Sequence, residues 1–309
     1  MDTPIFIVGL PRSGSTLWHN VFGRNNQLCR IAEMHYLTPV KKDFKYFTKK
    51  SVGDLSNDDN IRRMFEMIFE VKKVKGITEA FWEYDIGKIE GDTLKERMIS
   101  RTLESDRSIE SIFKILTEEF TLYKEKSRGC IKFPVYVNHI PKLIEWYPNS
   151  KVVHIIRDPR AIAVSRKNDP GGTQKKIKKY PYLSFPIRWT MVLYVTMQYI
   201  WSSRLHLTYK KFPNYRHFKY EDLLINPEQT IRELCKHTEV DFHEDMLNPG
   251  KGQASSITNK QKEGFDKSAA FRWKNHIKPL ENRIITCMTR RSMRRFEYYP
   301  DQYPDLDGQ

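Results

Sequence analysis

Two stretches of the chain are apolar almost without a break, Pro4 to Val8 and Lys151 to Ile156 (KVVHII). Short β-branched runs of this kind predict strands buried on both faces, as in a parallel sheet. Gly129 to Phe133 and Tyr215 to Tyr220 read as two further strands. Between them apolar residues return at helical spacing, for example Ile61, Met64, Phe65, Ile68 and Phe69 within Asp58 to Lys73. Helices are also predicted over Ser15 to Phe22, Ser108 to Lys126 with Ser108 as N-cap, and Ile140 to Tyr147, stopped by Pro148. Asp158 before Pro159 caps a helix running to about Lys167. Ile187 to Lys211, Pro227 to His237 and Leu280 to Phe296 complete the set. Four stretches read as connections: Asn25 to Ile31, Glu79 to Arg107, Asn168 to Pro186 and Asn248 to Ser268. The third, with Lys175, Lys176, Lys178 and Lys179, has the composition of a mobile basic lid. Strands alternating with helices give an α/β fold with a mainly parallel central sheet flanked by helices.

Charge changes this picture more than composition does. Of 309 residues, 53 are Lys or Arg and 38 Asp or Glu, a net charge of +15. That surplus calls for anionic partners: a nucleotide, a sulfated or uronic glycan, nucleic acid, or a membrane surface. The four cysteines, Cys29, Cys130, Cys235 and Cys287, are scattered without a CxxC pair, which argues against a zinc site or a disulfide framework. The longest apolar run, Met191 to Trp201, contains Gln198 and is too short to span a bilayer. The chain enters its first strand at once, so no signal peptide is expected. The expectation is a soluble, cytoplasmic protein; a luminal enzyme lacking its anchor is the alternative.

The chemistry starts where the first strand ends. Gly9, four residues, Gly14, then Ser15 and Thr16 is the Walker A frame of a P-loop, with Ser15 where the lysine belongs. A strand, a glycine-flanked loop and a helix N-terminus aim backbone N–H groups and the helix dipole at one spot, which suits a phosphate. The missing cation returns as Arg12. Without the lysine a magnesium-assisted triphosphate reaction is hard to set up. An anion cradle with an arginine suits a donor with one phosphate and a charged leaving group. The second buried strand ends in Arg157 rather than an acid, and Ser165 follows two turns into the next helix. An arginine fork with a hydroxyl offers a place for a second phosphate. Both cations lie beyond the carboxyl ends of strands, where α/β sheets bind ligands.

PRSGSTL after an apolar strand resembles the 5′-phosphosulfate loop of sulfotransferases that use 3′-phosphoadenosine 5′-phosphosulfate (PAPS). IIRDPRAIAVSR resembles the family's 3′-phosphate motif, with Arg157 and Ser165 in the matching positions. Tyr220-Glu221-Asp222-Leu223 is similar to a stretch whose tyrosine borders the nucleotide. Lys267 to Lys274 (KSAAFRWK) resembles, more loosely, the late basic segment with Trp273 that covers the 3′-phosphate; the family's Arg-Lys-Gly is absent, so Lys267, Arg272 and Lys274 stay open as its contact. The likeness runs from about residue 4 to about 274 and is nearer the tyrosylprotein, carbohydrate and bacterial branch than the cytosolic small-molecule one.

The resemblance implies a single P-loop-type sulfotransferase domain over residues 1–298 and PAPS as donor without a metal; the acidic, proline-containing stretch 299–309 reads as a disordered tail. It places Arg12 at the bridging oxygen and 5′-phosphate, with Ser13, Gly14, Ser15 and Thr16 cradling that phosphate. Lys132 matches a lysine touching the transferring sulfuryl group. The cytosolic branch's histidine is replaced by Pro134, and Glu33 sits where the other branch has its glutamate base; His35 and His139 are alternatives. The two cationic sets are expected to grip opposite ends of one nucleotide. The acceptor is a hydroxyl of a glycan, a peptide tyrosine, a lipid or a small alcohol. A P-loop kinase and a basic glycan- or nucleic-acid-binding module are the rival readings.

Overall fold

The computed structural model describes residues 2–31, 52–69, 93–250 and 264–299. Five strands form one sheet in the order β2-β3-β1-β4-β5. They are β1 (Asp2–Gly9), β2 (Leu28–Ile31), β3 (Arg128–Lys132), β4 (Lys151–Ile156) and β5 (Tyr215–Lys219). The pairs β1–β3, β2–β3 and β4–β5 are all parallel. The mainly parallel α/β fold read from the hydrophobic runs is therefore the observed one. The chain packs as two compact units, residues 1–7 with 26–151, and 8–25 with 152–309.

In the first unit β1 and β3 run in register, Ile5 opposite Cys130 and Ile7 opposite Lys132. Three helices, α2 (Asp58–Phe69), α3 (Thr93–Leu103) and α4 (Ile109–Tyr123), precede β3, and α5 (Ile140–Trp146) follows it. Ser108 caps α4 as expected, its side chain accepting from the Ser111 N–H. Phe113 gathers Phe6, Tyr136, Trp146 and Tyr147 around it at ring-centroid distances of 5.6 to 6.4 Å.

The second unit opens with α1 (Ser15–Phe22), whose Trp18 is buried against Phe218 of β5. After β4 come α6 (Pro159–Lys167), α7 (Thr173–Lys179) and the 26-residue α8 (Ser184–Tyr209). After β5 come α9 (Tyr220–Ile225), α10 (Pro227–Thr238), α11 (Ser268–Phe271) and α12 (Pro279–Arg295). Its core joins Ile162 and Ala163 of α6, Val192, Val195 and Tyr199 of α8, and Ile285 and Met293 of α12. The one polar residue inside β4, His154, is buried but satisfied: Nδ1 meets Tyr215 OH at 2.5 Å and Nε2 meets Ser202 Oγ at 3.2 Å.

Three readings are corrected. Asn25 to Ile31 is not only a connection, because Leu28–Ile31 forms β2, in register with Arg128 to Ile131. Its partner lies 100 residues on, which no local pattern announces. Glu79 to Arg107 contains α3, where Leu94, Met98 and Ile99 are buried at helical spacing beneath a charged surface. That surface is neutralised: Arg101 reaches Glu118 and Glu119, each at 2.8 Å. Within Asn168 to Pro186 the lysines stand on α7, whose seven residues are all outside the core. The readings at residues 32–35, 70–73, 79–92, 251–263 and 300–309 fall outside the described residues.

Candidate functional site

The loop after β1 is a tight crossing built around its glycines. A Cβ on Gly9 would lie 2.6 Å from the Ile155 carbonyl oxygen, so β1 and β4 approach closely only without a side chain there. Ser13 N–H donates to Leu10 O at 2.9 Å. Arg12 (φ 77°) and Gly14 (φ 91°) both take left-handed backbone, natural for glycine and strained for arginine. Gly14 then caps α1, its carbonyl accepting from Leu17 N–H at 2.9 Å, and the N–H groups of Ser15 and Thr16 precede the helix's own ladder. Ser13 is fully buried and its Oγ has no hydrogen-bond partner among the described residues.

Arg12 ties this loop to α6: its Nε donates to Ser165 Oγ at 3.1 Å. From the tip of β4, Arg157 donates through Nη1 to the Arg12 carbonyl at 3.0 Å, and through Nη2 to Ala269 O at 3.4 Å. Its guanidinium lies 4.3 Å above the Tyr220 ring, a favourable cation–π arrangement, while its Nε is buried without a partner. Tyr220 in turn sits against Gly14. The residues expected at opposite ends of a nucleotide are therefore interlocked, Arg12 of the loop holding Ser165 of the second motif. Among the described residues, neither Arg12 nor Arg157 is hydrogen-bonded to a carboxylate. Burial lowers the pKa of Arg12, Asp169 opposes that, and Arg157 adds to it. A guanidinium keeps its charge regardless, so this is a crowded cationic place that an anion relieves.

Behind it stands a buried polar frame. Asp158 caps α6, accepting from Arg160 N–H at 2.8 Å, and binds the Arg160 side chain at 2.7 Å with both groups almost fully buried. Arg160 lies 4.3 Å over the Trp273 ring, and Trp273 packs on Ala161 and Val164. Trp273 thus supports α6 from within the core. Glu221 is buried, accepting from Asp158 N–H at 3.1 Å and from Tyr298 OH at 2.5 Å. Burial pushes its pKa up to about 7, against the pull of Arg157 and the Tyr298 hydrogen bond. No local pattern marks this role of Glu221: the Tyr-Glu-Asp-Leu stretch points to a ligand only through its tyrosine. Arg166 is unmarked as well. It follows Ser165, its Nε is buried without a partner, and burial with Arg12 nearby lowers its pKa.

The other expected residues are less gathered. Ser15 is buried and Thr16 half-buried in the first turn of α1. Lys132 closes β3, nearly buried, in register with Ile7. His139 is half-buried at the start of α5, its pKa lowered by burial. In the late segment Lys267 is exposed, Lys274 lies 6.0 Å from the centre of the Phe271 ring, and Arg272 is ion-paired with Asp266 and bonded to Ser268 Oγ at 2.8 Å. Glu33 and His35 lie outside the described residues. Among the described residues no group of three or more His, Cys, Asp and Glu side chains could hold a metal ion.

Comparison with known proteins bears on this arrangement. A curated relative, an uncharacterized protein of Aquifex aeolicus (strain VF5), is 22% identical over 285 residues, covering 90% of this chain. The chain spans 31% of that relative's length. The sulfotransferase domain from the curacin biosynthetic pathway matches with a TM-score of 0.58 at 19% identity, over 97% of this chain and 99% of that one. The sulfotransferase domain of the Synechococcus PCC 7002 olefin synthase gives 0.57 at 20% identity, over 96% and 95%. These likenesses show the fold. Residues 4–244, which take in the loop after β1, the Arg157 to Ser165 motif and Tyr220, match the model of the sulfotransferase family, and the chain belongs to that family.

Proposed function

We propose that the chain transfers a sulfuryl group from PAPS to a hydroxyl of an acceptor. The observation that carries this reading is the junction of Arg12 with Ser165 at 3.1 Å and of Arg157 with the Arg12 carbonyl at 3.0 Å. It brings two guanidinium groups that have no carboxylate partner among the described residues beside the N-terminus of α1 and the Ser13 Oγ, which has no hydrogen-bond partner among them either. Such a donor set fits a ligand with two phosphates in one molecule. Asp158 is committed to Arg160 and the α6 cap, so it does not stand as a Walker B acid. With Ser15 in place of the lysine, this favours the transferase over a kinase.

Bound there, PAPS supplies a sulfuryl group on a phosphate leaving group. The α1 N–H groups with Ser13, Gly14, Ser15 and Thr16 hold the 5′-phosphate. Arg12 neutralises charge growing on the bridging oxygen, where a preorganised donor is most effective. Arg157 and Ser165 hold the 3′-phosphate, with Tyr220 beside the nucleoside and one of Lys267, Arg272 and Lys274 completing the grip. Lys132 touches the transferring group, and Glu33 takes the acceptor proton, His35 and His139 being the alternatives. A loose, in-line displacement asks for this positioning and neutralisation, without a metal. The acceptor is a glycan, peptide tyrosine, lipid or small alcohol, and the basic surface favours an acidic one.

Calorimetry tests the reading directly. Adenosine 3′,5′-bisphosphate binds tightly, magnesium-ATP binds weakly, and Arg12→Ala abolishes transfer from labelled PAPS to a panel of glycans, tyrosyl peptides, lipids and alcohols. Tighter binding of magnesium-ATP than of the bisphosphate overturns it.

A further inference from the structure

From Pro170 to Tyr220 the chain runs 51 residues without an Asp or Glu while carrying ten Lys or Arg. Arg216 and Lys219 at its end pair with Glu233 and Glu297 from outside the stretch, while the cations nearer its start lie on exposed surface. On α7 Lys175, Lys176, Lys178 and Lys179 are all exposed. Immediately after it stand Tyr182, 78% exposed, and Phe185, 72% exposed, the two most exposed large apolar side chains among the described residues.

The pattern continues along α8. Leu193, Tyr194, Met197 and Trp201 are all exposed, and their spacing puts them on one face of the helix. Val192, Val195 and Tyr199 on the opposite face are buried in the core. Arg204 extends the outward face with another exposed cation. This helix is apolar on both sides, and its outer side is bordered by lysines rather than by a mixed-charge surface.

We infer that this face docks the chain on an anionic lipid bilayer. Lysines flanking exposed aromatic and aliphatic side chains are the pattern of a segment lying at the boundary between headgroups and acyl chains. Tyrosine and tryptophan favour that boundary, and lysine stems reach from apolar surface to charged headgroups. A polyanion in water is held by charge and gains little from exposed Phe185, Leu193 and Met197. A second copy would bring the same unneutralised lysines face to face, at an electrostatic cost. Among the described residues no helix is long and apolar enough to cross a membrane, so the contact is lateral. The inference does not rest on the transfer reading.

The test is co-sedimentation of the full chain with phosphatidylcholine vesicles, with and without phosphatidylserine. Binding is expected only where phosphatidylserine is present and weakens with salt. Replacing Lys175, Lys176, Lys178 and Lys179 together by Ala lowers partitioning at least ~10-fold, since one such lysine is worth about fivefold at an anionic surface. Tyr182→Ser with Phe185→Ser, and separately Met197→Ser, lower it at high salt as well as low. All these residues are exposed, and unchanged thermal unfolding shows that the variants fold. Three results overturn the inference: no dependence on phosphatidylserine; apolar variants that bind like wild type while heparin competes fully, which makes the face a polyanion site; or concentration-dependent dimers lost on Tyr182→Ser with Phe185→Ser, which makes it a self-association surface.

Discussion

Tyr220 lies where a side chain at position 14 would have to go. A Cβ on Gly14 would sit 2.2 Å from Tyr220 Cδ2 and 2.3 Å from Cε2. Gly14 is thus required twice, by its φ of 91° and by the ring against it. The contact joins the loop after β1 to the start of α9, and Arg157 covers the same ring. A family motif at residue 220 and a family loop at residue 14 are one object in space.

The two demands on Gly14 separate in a double-mutant cycle. Gly14→Ala should destabilise the fold by roughly 2–4 kcal/mol, the sum of a positive-φ cost and a steric clash. In a Tyr220→Ala background the same change should cost only about 1 kcal/mol, the backbone share. Denaturant unfolding of the four proteins measures the coupling, and additive effects would show that the ring is not what excludes the side chain.

Nucleotide affinity should grade with the donor removed. Ser165→Ala, losing one hydroxyl that also holds Arg12, should weaken adenosine 3′,5′-bisphosphate about 5- to 10-fold. Arg157→Ala, losing a fork that carries charge, should weaken it by about 100-fold. Arg12→Lys should not restore binding, because an ammonium cannot serve Ser165 and an anion in the plane of one guanidinium. Calorimetry reads all three, and equal losses for Ser165→Ala and Arg157→Ala would break the ordering.

Stability should fall on mild acidification. Burial lowers the pKa of His154 and His217, and lowers His206 from 6.5 to about 4. Between those values the unfolded chain binds protons that the folded one refuses, so the unfolding free energy drops as pH falls. Urea midpoints between pH 7 and pH 4 check this, and the slope should shrink in His206→Phe.

Glu221 should act in the opposite sense. Its folded pKa, near 7 against an ordinary 4.5, means that the folded chain holds a proton the unfolded one has released in that window. Its contribution therefore weakens as pH rises from 4.5 to 7. Glu221→Gln keeps one oxygen to accept from Asp158 N–H, turns an NH2 that donates toward the Tyr298 hydroxyl oxygen, and removes the titration. Wild type should lose stability relative to the variant as pH rises through this window; parallel curves would assign the proton elsewhere.

Strands β1 and β4, helices α1 and α6 and the Asp158 cap were legible in the sequence, because short-range rules fix each of them. An unbroken apolar run has to be buried, a glycine-framed loop has to turn, and Asp before Pro caps whatever helix follows. The chemistry of Arg12 and Arg157 was legible for the same reason, since each lies just beyond the end of a strand. Strand β2 and helix α3 were not, one existing through a partner 100 residues away and the other hiding Leu94 and Met98 under charge. Nor could the sequence join Arg12 to Ser165, seat Tyr220 on Gly14, or turn Glu221 toward Asp158 and Tyr298. Those contacts link positions 63 to 206 residues apart. Local preference carries no information across such distances; packing of the strands and helices that bear them decides it.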